Sequence, residues 1–137
     1  MNDLALKASH ICENAFFSSD GKLNIIAIFD RIYVINLPAI HYIMDLAMVF
    51  EGKPNAKEKV KLNAISPSGE KILPDKDIEI NLSDTGKFNF VMKVPSITLK
   101  EEGIYKFLAS SNGKPLGEAT FEVSKGGSNA KGSSNSN

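Results

Sequence analysis

The chain has 137 residues, of which 42% are hydrophobic and 23% are charged, with a single Cys and no Trp. These proportions are typical of one globular domain, and they exclude a collagen-like chain, a wholly disordered chain and a disulfide-stapled scaffold. No apolar stretch approaches the roughly 20 residues of a membrane-spanning helix, so we expect no membrane span and no membrane partner.

The charge balance argues against nucleic acid as a partner. The 16 basic and 16 acidic side chains cancel at neutral pH, and Arg31 is the only arginine. A nucleic-acid-binding domain normally carries a basic excess, and arginine is the side chain best suited to bidentate contacts with phosphate and guanine. The lone Cys cannot form an intramolecular disulfide, and the N-terminus shows no secretory pattern. We therefore expect a protein of the reducing cytoplasm.

Residues 125–137 are predicted to form a disordered tail. They comprise only Lys, Gly, Ser, Asn and one Ala. Such a segment buries too little apolar surface to offset the entropy of ordering it. Residues 1–124 remain as the predicted folded domain, which is long enough to build one core without disulfides or metals.

From residue 6 onward the chain reads as a succession of β-strands separated by short turns. Residues 22–34 are apolar on both faces near their centre, which predicts a central strand that is covered on both sides. Along residues 41–51, and along most later strands, apolar and polar side chains alternate as in an antiparallel sheet with one buried face. Asn112 and Gly113 give the strongest hairpin signal. We predict nine strands, over residues 6–17, 22–34, 41–51, 58–66, 70–73, 77–82, 87–94, 103–110 and 115–124.

Glu101, Gly103 and Tyr105 form an acidic-x-Gly-x-Tyr pattern at the start of a strand. The pattern resembles the tyrosine corner of immunoglobulin-like sandwiches, in which the Tyr hydroxyl bonds to upstream backbone and fixes the crossover between sheets. We therefore predict an all-β, immunoglobulin-like Greek-key β-sandwich of about eight or nine antiparallel strands. In that fold residues 87–94 would be strand E and residues 22–34 strand B. A lipocalin-like barrel is the alternative, although it normally has a Trp near its first strand.

Two patterns frame the domain: Gly-Lys-Leu-x-x-x-Ala-x-Phe in the first hairpin and Gly-x-Tyr-x-Phe near the end. Their fixed positions are Gly21, Lys22, Leu23, Phe29, Gly103, Tyr105 and Phe107. In these patterns the chain resembles a family of small bacterial all-β domains of unknown function, over about residues 5–124. Ala27 stands where that family has a second Gly. The resemblance implies a sandwich and a bacterial or phage origin, and it implies no reaction and no site.

No set of side chains assembles a catalytic or metal site. His10 and Cys12 lie two residues apart and so share one face of a strand, but no third group is identifiable to orient them as base and nucleophile. His41 follows a loop without zinc-ligand spacing. Asp75 and Asp77 fit ordinary turn polarity better than a calcium loop. We expect no enzyme, no cofactor and no metal.

The leading functional hypothesis is a non-enzymatic protein-interaction or structural module, which binds a protein partner or a second copy of itself. The candidate interface comprises Asp30, Arg31, Ile43 and Val91. Ile43 and Val91 are apolar residues on nominally outer faces, and arginine is enriched at interfaces. An ion pair or turn contact that closes the strand is the favoured interpretation of Asp30 and Arg31.

The alternative, from another class, is a small-ligand or carbohydrate-binding sandwich. Such sites usually need aromatic side chains on an exposed face or in loops. Tyr33 and Tyr42 are the aromatics that fall near a loop, whereas most others fall on predicted core faces.

Overall fold

The computed structural model describes residues 4–126, and every helix or strand in this range is a β-strand. The strands are β1 (Ala5–Phe17), β2 (Leu23–Ile28), β3 (Arg31–Val34), β4 (Ala39–His41), β5 (Asp45–Glu51), β6 (Lys57–Ile65), β7 (Lys71–Asn81), β8 (Lys87–Lys93), β9 (Ile97–Leu99), β10 (Gly103–Ser111) and β11 (Lys114–Lys125). Residues 4–126 include no helix with the length and apolar character to cross a membrane.

The strands form two facing sheets and a small third one. The four-stranded sheet has the order β2-β1-β5-β8, the five-stranded sheet has the order β3-β11-β10-β6-β7, and β4 pairs with β9. All pairs are antiparallel except β3 with β11, which is parallel. The neighbours β6, β10 and β11 correspond to strands C, F and G of an immunoglobulin-like sandwich, and the neighbours β5 and β8 correspond to B and E. The predicted immunoglobulin-like all-β fold is confirmed.

The core lies between the two sheets and is rich in aromatic side chains. Tyr105, Phe50, Phe107 and Phe121 are among its largest fully buried members. The rings of Tyr105 and Phe121 stack with centroids 5.1 Å apart. Because side chains alternate along a strand, every second residue of β10 and β11 points into this core while the others face solvent.

The predicted strand 22–34 is wrong as a single central strand. It divides into β2, which is an outermost strand of the four-stranded sheet, and β3, which joins the five-stranded sheet. Ala27 has a positive φ of 60°, a conformation that Gly adopts without the steric cost of a Cβ. The backbone leaves the regular β conformation there, and Ile26 and Ile28 stay about half exposed. Strand B is therefore β5, and β2 is an added edge strand.

Several other strand boundaries in the structure also differ from the predicted ones. The strand predicted at 41–51 begins at Asp45, and a separate short strand, β4, pairs with β9, which the alternation does not reveal. The strands predicted at 70–73 and 77–82 are one strand, β7, which tolerates Pro74 because β7 lies at a sheet edge. β11 includes Lys125, one residue past the predicted domain boundary. The remainder of the predicted tail, residues 127–137, lies outside the described residues.

Candidate interaction surface

The tyrosine corner is a structural device at the start of β10. The buried Tyr105 hydroxyl donates to the Glu101 carbonyl oxygen at 2.7 Å and accepts from the Glu101 amide at 3.2 Å. Burial is the main cause that raises the pKa of this phenol. Gly103 has a φ of 127°, and a Cβ there would lie 2.8 Å from the Pro67 side chain, so a larger residue would clash. These residues fix the crossover and leave no free group for chemistry.

The Glu101 side chain adds a second contact to the same corner. Its carboxylate accepts a hydrogen bond of 2.7 Å from the Ser68 hydroxyl, in the turn between β6 and β7. This hydrogen bond holds the pKa of Glu101 below its usual range. The corner is therefore tied to the five-stranded sheet through both backbone and side chain.

Cys12 lies in a buried environment that lowers the reactivity of its thiol. The side chain is fully buried, and its pKa is raised by burial and, to a smaller extent, by the negative charge of Asp45. Nucleophilic cysteines need the opposite shift, toward the thiolate. His10 lies on the same strand and is half-buried. The pair therefore does not have the environment of a nucleophile and its base.

The other candidate ligands for a metal are engaged in hydrogen bonds. His41 Nε2 donates to the Ile43 carbonyl oxygen at 2.8 Å. The Asp75 carboxylate accepts from Lys71 at 2.8 Å and from Asn63 at 2.6 Å. Among residues 4–126, no group of three or more His, Cys, Asp or Glu side chains could hold a metal ion.

An ion pair between a buried aspartate and a largely exposed lysine, which no sequence pattern predicts, stabilises the four-stranded sheet. Asp45 is 5% exposed, and one of its carboxylate oxygens accepts from the Ala15 amide at 2.7 Å and from Lys93 Nζ at 2.6 Å. Lys93 Nζ also donates to the Ala15 carbonyl oxygen at 2.9 Å. The pair therefore ties β1, β5 and β8 together.

Beside it, Val91 packs against the buried residues Cys12, Ala15 and Ala47. Val91 is therefore partly buried within its own domain.

Asp30 and Arg31 close the chain onto the five-stranded sheet. The Asp30 carbonyl oxygen accepts from the Glu122 amide at 2.8 Å. The Arg31 guanidinium donates to the Glu122 carboxylate at 2.7 Å and lies 5.7 Å from the centre of the Tyr33 ring. These contacts agree with the structural interpretation of the two residues. Arg31 and Val91 belong to strands of different sheets, and of the two apolar members of the candidate interface only Ile43 is largely exposed.

The exposed apolar surface is concentrated in the segment that passes from one sheet to the other. We call residues 33–43 the crossover segment, because it runs from β3 through β4 toward β5. Of the ten large hydrophobic side chains that are exposed within residues 4–126, five lie in this segment. They are Tyr33, Ile35, Ile40, Tyr42 and Ile43. No charged residue occurs between Arg31 and Asp45, so this surface is both apolar and uncharged.

The outward face of the five-stranded sheet has the opposite character. Lys59 on β6 is opposite Glu79 on β7, and Lys61 is opposite Asp77, with 3.8 Å between the charged atoms of the second pair. Such cross-strand pairs of opposite charge stabilise a solvated sheet surface and also discourage association with other strands. The crossover segment therefore differs from this face in that it carries exposed apolar side chains and no charged residue.

Comparison with known proteins identifies a family and supports the fold. The model of a family of unknown function, DUF6941, matches residues 7–124. No curated protein sequence matches the chain. A β-glucosidase from Listeria innocua is structurally similar, with a TM-score of 0.51 and 8% identity over 89% of this chain. This chain covers 16% of that enzyme, and the likeness at this identity concerns the fold alone.

Two further solved structures are similar at lower scores. An alkylpurine DNA glycosylase from Pseudomonas fluorescens has a TM-score of 0.49 and 12% identity, covering 90% of this chain and 31% of its own. An immunoglobulin-like protein from Pseudomonas aeruginosa has a TM-score of 0.43 and 13% identity, covering 89% of this chain and 97% of its own.

Proposed function

The chain belongs to DUF6941, a family of unknown function, and we propose that it is a non-enzymatic protein-interaction module. The interface in this proposal is the crossover segment, residues 33–43. One observation supports it above the others: of the large apolar side chains that are exposed within residues 4–126, half fall in these 11 residues, and none of the 11 carries a formal charge with His41 neutral.

The composition of the crossover segment fits the chemistry of protein interfaces. Interface centres are depleted in charge and enriched in aromatic side chains, which supply much of the binding energy when they enter a pocket of the partner. Tyr42 is 70% exposed and Ile43 is 65% exposed, so both have apolar surface to bury. Large apolar side chains that stay exposed in the folded chain and are concentrated in one segment favour an interaction site there.

The Ile43 carbonyl gives this surface some rigidity. It accepts the hydrogen bond from His41, whose ring lies 6.1 Å from the ring of Phe29. A segment that is held in place before binding loses less conformational entropy when a partner associates. The partner in this proposal is another protein or a second copy of the chain.

The test is a quantitative pull-down from host lysate with the full chain and two matched double variants. Tyr42→Ser with Ile43→Ser removes apolar surface from the crossover segment, and Lys59→Ser with Lys61→Ser alters the charged face of the five-stranded sheet. We expect one stoichiometric partner that the wild type and the second variant retain and that the first variant loses. Sedimentation at increasing concentration reports self-association in the same way. Partner capture and self-association that are equally strong in all three proteins would reject this interface.

Two narrower parts of the proposal concern chemistry and location. Because burial keeps the Cys12 thiol protonated, the proposal includes no nucleophilic reaction at this residue. The single Cys is free and buried, which agrees with a reducing bacterial cytoplasm. Fractionation of host cells, followed by immunodetection, tests the location, and recovery of the protein from the medium or periplasm would contradict it.

A further inference from the structure

A cleft opens on one side of the sandwich between the edge strands β7 and β8. These strands belong to different sheets, so no backbone ladder joins them. The pairing of β6 with β7 shifts register near Ala64, and Pro74 lies close to this irregularity. The cleft encloses about 210 Å³. It gives direct access to the side of the hydrophobic core.

The wall of the cleft is mainly apolar. Leu62 and Phe107, which are almost fully buried, contribute to it from β6 and β10. Leu73 and Met92 line it from the two edge strands. An engineered apolar cavity of about 150 Å³ accepts benzene, so a cleft of this size is large enough for one ring or a short alkyl chain.

One positive charge at the cleft has no counter-ion in the described part of the chain. Lys76 lines the cleft and makes no ion pair within residues 4–126. Its neighbour Asp75 already accepts hydrogen bonds from Lys71 and Asn63, one on each carboxylate oxygen. Lys93 also lines the cleft, but its ammonium binds Asp45 at 2.6 Å, so Lys93 offers mainly its alkyl stem.

We propose that this cleft binds a small amphiphile that has an apolar body of about six to nine carbon atoms and a single carboxylate. The apolar body lies against Leu73, Met92 and Phe107, and the carboxylate faces the ammonium of Lys76. A single carboxylate matches the single available ammonium, whereas a phosphate monoester would bring nearly two negative charges. This site lies in the sandwich side wall and is independent of the crossover segment.

The experiment is a titration of the isotope-labelled full chain, followed by protein NMR, with three eight-carbon probes. Octanoate, 1-octanol and octylamine share the apolar body and differ in the charge of the head group. We expect octanoate to bind with a Kd of about 0.1–1 mM, as its size allows, and about two- to fivefold more tightly than the alcohol or the amine, because Lys76 is exposed to solvent. The amide signals of Leu73, Met92 and Lys76 should shift first.

Two variants separate the contribution of charge from that of apolar contact. Lys76→Met should abolish the preference, so that octanoate and octanol bind with about equal affinity. Lys59→Met, on the outward face of the same sheet, should leave the preference unchanged. Ala64→Leu should fill the cleft and weaken both probes at least about tenfold, with an unchanged spectrum elsewhere as the check on folding. Three results would overturn the proposal: no saturable shifts up to several times the expected Kd, shifts confined to another surface, or equal affinity for octanoate and octanol in the wild type.

Discussion

The tyrosine corner allows the sharpest test of how this fold is stabilised. The substitution Tyr105→Phe keeps the ring, which stacks on Phe121, and removes only the hydroxyl. Two hydrogen bonds are lost, one to the Glu101 carbonyl oxygen at 2.7 Å and one from the Glu101 amide at 3.2 Å. Since an intramolecular hydrogen bond contributes about 0.5–1.5 kcal/mol net, we expect the free energy of unfolding to fall by about 1–3 kcal/mol.

The assay is urea denaturation followed by a spectroscopic signal, with thermal unfolding as a second measure. The denaturation midpoint should fall while the m-value stays constant, because the substitution does not change the surface exposed on unfolding. Each kcal/mol should lower Tm by about 4 °C in a domain of this size. The matched control is Tyr42→Phe, because Tyr42 is 70% exposed and no described contact uses its hydroxyl. Equal effects of the two substitutions, or a loss below about 0.5 kcal/mol for Tyr105→Phe, would refute this account of the corner.

Three further outcomes follow from other contacts. Ala27→Gly should raise the free energy of unfolding by about 0.5–1 kcal/mol, because the relief of the positive φ exceeds the added entropy of the unfolded chain; a loss of stability in urea titration would contradict it. Asp45→Ala and Lys93→Ala should each cost about 1–3 kcal/mol, because the first leaves the Ala15 amide without its acceptor and the second leaves the buried carboxylate without its counter-ion; a loss below about 0.5 kcal/mol for Lys93→Ala would argue that the buried carboxylate does not depend on the ammonium. Cys12 should react with a thiol reagent at least about 1000-fold more slowly in the native protein than in urea, because reaction requires opening of the sheet; a native rate close to the urea rate would reject its placement.

The sequence predicted those parts of the fold that depend on neighbouring residues. Alternation correctly placed Leu46, Met48 and Phe50 of β5 in the core. The acidic-x-Gly-x-Tyr pattern led to the tyrosine corner, whose hydrogen bonds join residues only four positions apart. Both signals are local, because strand periodicity and turn geometry are set over a few residues.

The surface was harder to predict, because exposure depends on which strands are neighbours. Tyr42 continues the apolar alternation of β5, yet it is largely exposed, because the strand begins at Asp45. The apolar residues of β2 predicted a covered central strand, but β2 has a neighbour on one side only. Val91 was expected to be exposed on an outer face. It is partly buried there, because Cys12 and Ala47 from two other strands pack beside it.

The sequence by itself determined the fold class, most of the strands and the identity of the core residues, since periodic alternation of apolar side chains specifies which face of each strand is buried. Only the tertiary structure decided which side chains are exposed and which distant residues meet at the surface. The ion pair of Asp45 and Lys93 joins residues 48 positions apart. The cleft needs β7 and β8 side by side in different sheets, and the crossover segment is exposed because it passes between the sheets. Such features arise from the order in which strands pair, and pairing order depends on long-range contacts that no local pattern encodes.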